Sequence, residues 1–210
     1  MRLRTAVPMT LLLLLLLCAC GAAKESAQTP IRFRTGLMEA GACGFSLSLR
    51  ADYGDYVRDF KLNCESTPGG KTMLTVVEPE IAGGITASVE GGDAHVSYDD
   101  TILAVEDFSS RPISPMAAPY LLTSAWSEGY IDSVGMDGEN EEVHYLLGYG
   151  GKELEIITWF SGELPLRAEI TDGTNTLISC EISNFTKEGG TNEQAAETDL
   201  GGNQSGLPGT

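Results

Sequence analysis

The sequence predicts an α+β domain that is mainly antiparallel β, on three observations. Apolar and polar residues alternate in many short runs, Gly-Gly and Asp-Gly pairs separate those runs, and only two stretches carry helical spacing. Ile31 to Ala40 forms the first helical stretch, weakened by Gly36. Phe45, Leu47, Leu49 and Ala51 then alternate with Ser46, Ser48 and Arg50, and Tyr56, Phe60, Leu62 and Cys64 follow the turn pair Tyr53-Gly54. Two such runs read as a hairpin. With Tyr53 and Gly54 at the loop centre, Phe45 stands opposite Leu62, Leu47 opposite Phe60 and Cys43 opposite Cys64.

Three more hairpins follow. Gly91-Gly92 separates Ile85-Ala87-Val89 from Ala94-Val96-Tyr98, Gly150-Gly151 separates Val143-Tyr145-Leu147 from Leu154-Ile156-Thr158, and Asp172-Gly173 separates Leu166 to Ile170 from Leu177 to Phe185. These pairs supply the positive φ that tight hairpins need. Between the second and third hairpins lies a helix over Ser114 to Gly129, with Ser114 as N-cap, Pro115 at the first helical position and Ala117, Leu121 and Ala125 at spacing four. Pro119 should kink or restart it. The predicted order is helix, about six strands, helix, about four strands, with the helices covering one face of the sheet.

The N-terminus predicts the location. Arg2 and Arg4, the apolar run Leu11 to Leu17 and the small residues after it have the three parts of a secretory signal over residues 1–19. The apolar run is too short for a permanent membrane span. Leu17-Cys18-Ala19-Cys20 resembles the lipobox of bacterial lipoproteins, which implies cleavage before Cys20 and acylation of its thiol by palmitate-like chains. At about 0.8 kcal/mol per buried CH2, two or three acyl chains hold a protein on a membrane. The expected product is a lipoprotein on the extracytoplasmic face of a cell membrane. Residues 20–29 serve as lipidated tether, 30–187 as the folded domain, and 188–210, rich in Gly, Asn, Gln and acid, as a disordered tail.

The full chain has 13 Lys and Arg against 30 Asp and Glu; loss of Arg2 and Arg4 leaves 11 against 30, a net charge near -19. That sign excludes a nucleic-acid partner. Cys43, Cys64 and Cys180 remain after Cys20. An extracytoplasmic site permits one bridge, and the hairpin register selects Cys43 to Cys64, with Cys180 a buried free thiol. The alternative is three reduced core thiols.

No catalytic constellation is present: the sequence holds no Gly-x-Ser-x-Gly, no His-Glu-x-x-His and no phosphate loop. His95 and His144 lie about fifty residues apart in predicted strands, and His95 alternates against Ala94 and Val96 and so faces away from the core. Asp132 to Glu142 lacks the ligand spacing of an EF-hand loop and reads as an acidic hairpin turn. No metal or cofactor is expected. Phe45, Phe60, Tyr98, Trp126, Trp159 and Phe160 either fill the interior of the sheet or line a cavity.

Val77-Glu78-Pro79-Glu80 ending a strand, followed by Ile85 to Val89 and Ala94 to Asp99, resembles the LolA/LolB-type family of lipoprotein carriers and receptors over most of residues 30 to 187. The layout is also similar to that of uncharacterised clostridial-type lipoproteins. The resemblance implies an incomplete antiparallel β-barrel, a half-barrel cup lidded by helices, whose apolar concave face holds acyl chains. Soluble carriers of this kind are not lipidated, so acylation at Cys20 favours a stationary role.

Two functions follow from this. The first is a membrane-anchored module that holds a lipid or other apolar ligand against Phe45, Leu47, Phe60, Leu62, Val89, Val96 and Tyr98. The alternative is a structural or regulatory lipoprotein with a filled cup that recognises an envelope protein. An envelope hydrolase would need a convergent polar cluster that the sequence does not display.

Overall fold

A computed structural model describes residues 28–91, 93–98, 101–105, 113–173 and 175–187. Residues 1–27, which include the expected signal sequence and Cys20, and residues 99–100 and 188–210 lie outside the described residues. The first helix is α1 (Gln28–Ala40).

Six strands follow: β1 (Cys43–Asp52), β2 (Val57–Ser66), β3 (Thr72–Glu78), β4 (Thr86–Glu90), β5 (Asp93–Tyr98) and β6 (Thr101–Val105). A 3-10 turn at Pro115–Ala117 leads into α2 (Ala118–Glu128), and five strands complete the sheet: β7 (Tyr130–Asp137), β8 (Asn140–Tyr149), β9 (Lys152–Ser161), β10 (Leu164–Thr171) and β11 (Thr176–Lys187). The second helical stretch therefore divides at Pro119, as its ring requires. Ser114 Oγ accepts from Met116 N and caps the 3-10 turn, and α2 restarts with Pro119 in its first turn.

All eleven strands form one sheet in the order β6-β5-β4-β3-β2-β1-β11-β10-β9-β8-β7. Its neighbouring pairs are antiparallel. The sheet is two hairpin meanders, β1 to β6 and β7 to β11, joined by β1 against β11. Hence α2 packs on β2 and β3 of one limb and on β8 and β9 of the other. In the sheet order β3 and β8 stand six spacings apart, roughly 29 Å if the sheet were flat, whereas a helix with its side chains is about 10–12 Å wide. Only a sheet bent around α2 brings both limbs onto it. The result is an open half-barrel with helices in its concavity.

The hairpin tips divide the barrel into two ends. Residues 67–71, 91, 138–139 and 162–163, with the start of β1 and the end of β11, lie at one end; residues 53–56, 79–85, 150–151, 172–173 and 175 lie at the other. α1 sits at the first end. Arg32 pairs with Glu163 at 3.7 Å, and Lys187 Nζ stands 5.1 Å from the centroid of the Phe33 ring.

Gly36 in the middle of α1 costs helix stability without serving a tight approach. A Cβ there would meet Lys187 Nζ at 2.8 Å, the mobile end of a long side chain. Gly36→Ala should therefore stabilise the domain by about 0.5–1 kcal/mol, the usual helix-interior difference, read as a higher melting temperature.

The β1–β2 register corrects the predicted disulfide. Observed pairs are Phe45 with Cys64, Leu47 with Leu62, Leu49 with Phe60 and Cys43 with Ser66. The loop is four residues long rather than two: Tyr53 N donates to Tyr56 O at 3.0 Å, and Gly54 N donates to Asp52 Oδ1 at 2.8 Å. This moves every partner by two positions, so Cys43 and Cys64 are not opposite one another. Cys43, Cys64 and Cys180 are all buried, and among the described residues no disulfide joins them.

Candidate functional site

Residues brought together on the concave face come from every other position of each strand, and the ladder registers align them into apolar rows. One row runs Phe45, Cys64, Leu74, Ala87 and Val96 across the first limb. Another runs Ala51, Ile178, Ile170, Ile156 and Tyr145 across the second. Of the seven residues expected to line a ligand cup, Phe45, Leu47, Leu62 and Val89 are at most 4% exposed, while Phe60 and Val96 are half-buried. Tyr98 is on the face of Val96 but is 54% exposed, because it sits at the outer end of β5 beyond the cover of the helices.

The helices fill the middle of this face. Phe33, Leu37, Leu121, Leu122, Ala125 and Trp126 have no exposed surface. Trp126 Nε1 donates to Thr158 Oγ1 at 3.1 Å, which satisfies the one polar group of a ring buried by its apolar body. The hydroxyls of Ser66, Thr72 and Thr123 meet at 2.8–3.3 Å and tie α2 to β2 and β3. Arg34 reaches from α1 to the end of α2 and donates to the carbonyls of Trp126 (2.8 Å), Ala125 (3.2 Å) and Gly129 (2.6 Å). Trp126 O is one of the carbonyls that a helix C-terminus leaves without an intrahelical partner, while Ala125 O also accepts from Gly129 N at 3.0 Å. Tyr145 Oη is buried with no hydrogen-bond partner among the described residues, and burial pushes its pKa up.

Cover thins toward the end of the barrel away from α1. There Tyr53, Phe60, Ile85, Val96, Met116 and Tyr120 pack on the core while only partly buried. Tyr53 Oη donates to Ile113 O at 3.3 Å and holds the approach to α2 against β1.

The opposite, helix-free face is polar. A trough of about 590 Å3 crosses it, with Ser48 and Ser179 between longer charged neighbours. Arg50 pairs with Asp59 at 3.8 Å, Lys61 with Glu78 at 2.8 Å and Arg167 with Asp137 at 2.6 Å. His95 is exposed, as its alternation predicts, and Asp137 to Asn140 forms the tight tip of the β7–β8 hairpin.

His144 forms a cluster that sequence reasoning missed. Its Nδ1 lies 2.7 Å from Glu155 Oε1 and its Nε2 2.8 Å from Glu142 Oε1. Trp159 Nε1 donates to the other Glu142 oxygen at 3.0 Å, and the Arg167 guanidinium lies 4.0 Å from the Trp159 ring centroid. Burial pulls the pKa of His144 down, but hydrogen bonds and attraction from Glu155 and Glu142 outweigh it and raise the pKa above the ordinary histidine value. A raised native pKa stabilises the fold fully below the unfolded value of about 6.5 and loses that contribution as pH rises through the native value. The stability gap between the natural chain and His144→Gln should thus be widest near about pH 6 and shrink toward about pH 9, read as melting temperature at each pH.

The thiols are chemically quiet. Burial raises the pKa of Cys64, with neighbouring Cys180 and Cys43 adding to it, and burial alone pushes Cys180 up to about 12. Thiolate, the reactive form, is scarce in both.

No protein-family model matches the chain, and no curated protein matches it. Among solved structures it is similar to a LolA superfamily protein from Nitrosomonas europaea, at 9% identity over 73% of this chain and 92% of that one, with a TM-score of 0.42. A DUF1329 family protein from Desulfovibrio piger is 12% identical over 79% of this chain and 93% of that one, with a TM-score of 0.46. The lipoprotein LppX from Mycobacterium tuberculosis is 12% identical over 79% of this chain and 96% of that one, with a TM-score of 0.34. By its own sheet order and the helices in its concavity, the chain is an open antiparallel half-barrel.

Proposed function

We propose that the mature protein is tethered to the extracytoplasmic face of a membrane through a lipid on Cys20 and takes an acyl chain or similar apolar ligand into its half-barrel, without catalysing a reaction. The observation that carries this reading is that the apolar lining continues past the helices. On β5, Ala94 is 2% exposed, Val96 is half-buried and Tyr98 is 54% exposed, all on one face. Phe60, Ile85, Met116 and Tyr120 are likewise partly buried against the core. A ligand entering there would extend contacts that α2 already makes, and fuller access to Phe45, Leu47, Leu62 and Val89 would require α2 to move aside. The filled middle of the concavity and the charged trough on the opposite face favour the second reading, recognition of an envelope protein.

The test is native mass spectrometry with organic extraction on the mature chain expressed in the envelope as Cys20→Ser, so that its own anchor contributes no lipid. The expected result is a co-purified lipid that is lost from Val96→Asp, a variant that should remain folded because Val96 is only half-buried. A clean protein mass after incubation with phosphatidylcholine vesicles would overturn the ligand reading and leave the partner reading.

A further inference from the structure

The first helix starts shortly after the residue that would carry a lipid anchor. Seven residues separate Cys20 from Gln28, so those two Cα atoms stand at most about 28 Å apart even in a fully extended chain. α1 therefore cannot leave the neighbourhood of the membrane while the anchor is inserted. Its inward face is Thr29, Pro30, Phe33 and Leu37, all buried. Its outward face is unusual for a helix so close to water. Ile31 is 56% exposed and Met38 52% exposed, and with Thr35 they form an i, i+4, i+7 stripe. Thr35 Oγ1 donates to Ile31 O at 2.9 Å, so its hydroxyl is already satisfied within the helix. Leu164, 55% exposed, stands on the adjoining β9–β10 tip, which Arg32 and Glu163 hold against the helix.

Met73, 50% exposed, and Met136, 64% exposed, lie at the same end of the barrel as this patch, whereas Ile81, 93% exposed, and Tyr98 lie at the opposite end. A strand as long as β1, ten residues, puts about 30 Å between the ends, so that end points away from the anchor. The net charge near -19 also argues for a neutral rather than an anionic surface.

We propose that the outward stripe of α1, Ile31, Thr35 and Met38 with Leu164 beside it, rests in the interfacial layer of a neutral bilayer as a second, non-covalent contact. This rests on the lipid-anchor reading. The contact can be weak, because the tether keeps its local concentration high. It fixes the orientation of the barrel: the thinly covered slope at Val96 and Tyr98 faces the aqueous side, and a ligand would exchange there rather than laterally from the bilayer.

The experiment uses the full acylated chain in phosphatidylcholine vesicles, with a nitroxide on Ile31→Cys, Leu164→Cys or Ile81→Cys in turn. Native Cys43, Cys64 and Cys180 are at most 4% exposed and take no label in the folded protein. Labels at 31 and 164 should become severalfold more accessible to oxygen than to a water-soluble nickel chelate when the protein floats with vesicles, while the label at 81 stays in water. Protein that floats with all three labels equally open to nickel overturns the docking inference alone. Acylated-chain preparations that fail to float overturn the anchor reading and the inference with it.

Discussion

Trp126→Ala should cost more folding stability than any other single change considered, about 3–5 kcal/mol. The indole is wholly buried and packs edge-on against Phe33 (ring centroids 5.6 Å apart), Phe45 (5.7 Å) and Phe185 (6.0 Å). Phe33 belongs to α1, Phe45 to β1 and Phe185 to β11, so one ring joins the first helix to the strands where the two limbs meet. Truncating a buried Trp costs about 3–5 kcal/mol, a large share of the roughly 5–15 kcal/mol that keeps a domain folded. Trp126→Phe separates the contributions. It keeps an aromatic ring but leaves Thr158, wholly buried, without its donor, for a further cost of about 1–3 kcal/mol. Urea unfolding measures both. A loss under about 1 kcal/mol for the alanine variant would mean that the concavity is loosely filled and would contradict the packing described.

Arg34→Ala should be the next most damaging change, at about 2–3 kcal/mol, the scale of charged hydrogen bonds that leave their acceptors unpaired. One guanidinium serves three carbonyls at the end of α2, a task suited to a planar fork with several fixed donors. Arg34→Lys should recover less than half of the loss, because a single ammonium cannot span the same three acceptors. Under the ligand-binding reading, Arg34→Ala should also take up a fluorescent fatty acid faster than the natural chain, since the bond holding α2 in the concavity is gone. Equal uptake rates with the expected stability loss would mean that ligand reaches the lining without displacement of α2.

Much of the fold is legible in the residues because glycine pairs mark the tips. Gly91-Gly92 lies between Glu90 and Asp93, which pair, and Gly150-Gly151 lies between Tyr149 and Lys152, which pair. The β1–β2 tip was misread for a local reason. Asp52 supplies a side-chain acceptor to Gly54 and Tyr53 bonds across to Tyr56, so the loop closes two residues wider than a Tyr53-Gly54 turn. The error is even, and side chains alternate with period two, so every residue kept its face while the partners changed. This is why Phe45, Leu47 and Leu62 were correctly placed in the interior although the disulfide was not. The five strands after α2, rather than about four, include β7, whose residues are mostly exposed and so lack strong alternation. The His144 cluster needed two facts at once: Glu142 two positions before it, and a register from the Gly150-Gly151 tip that puts Ile157 opposite His144 and Glu155 one step diagonal on the same face.

The pairing of β1 with β11 means that the first and last strands of the domain meet at the centre of the sheet. Each limb is a meander of neighbouring hairpins and can form from local contacts, but the joint between them closes a loop of more than a hundred residues. Contacts of such long sequence separation form late. A chain emerging N-terminus first would therefore hold β1 to β6 with an open, unpaired edge on β1 until residues 176 to 187 arrive. That edge is a template for foreign strands, and a protein delivered across a membrane as an unfolded thread would depend on the accessory proteins around it for as long as its last strand is missing.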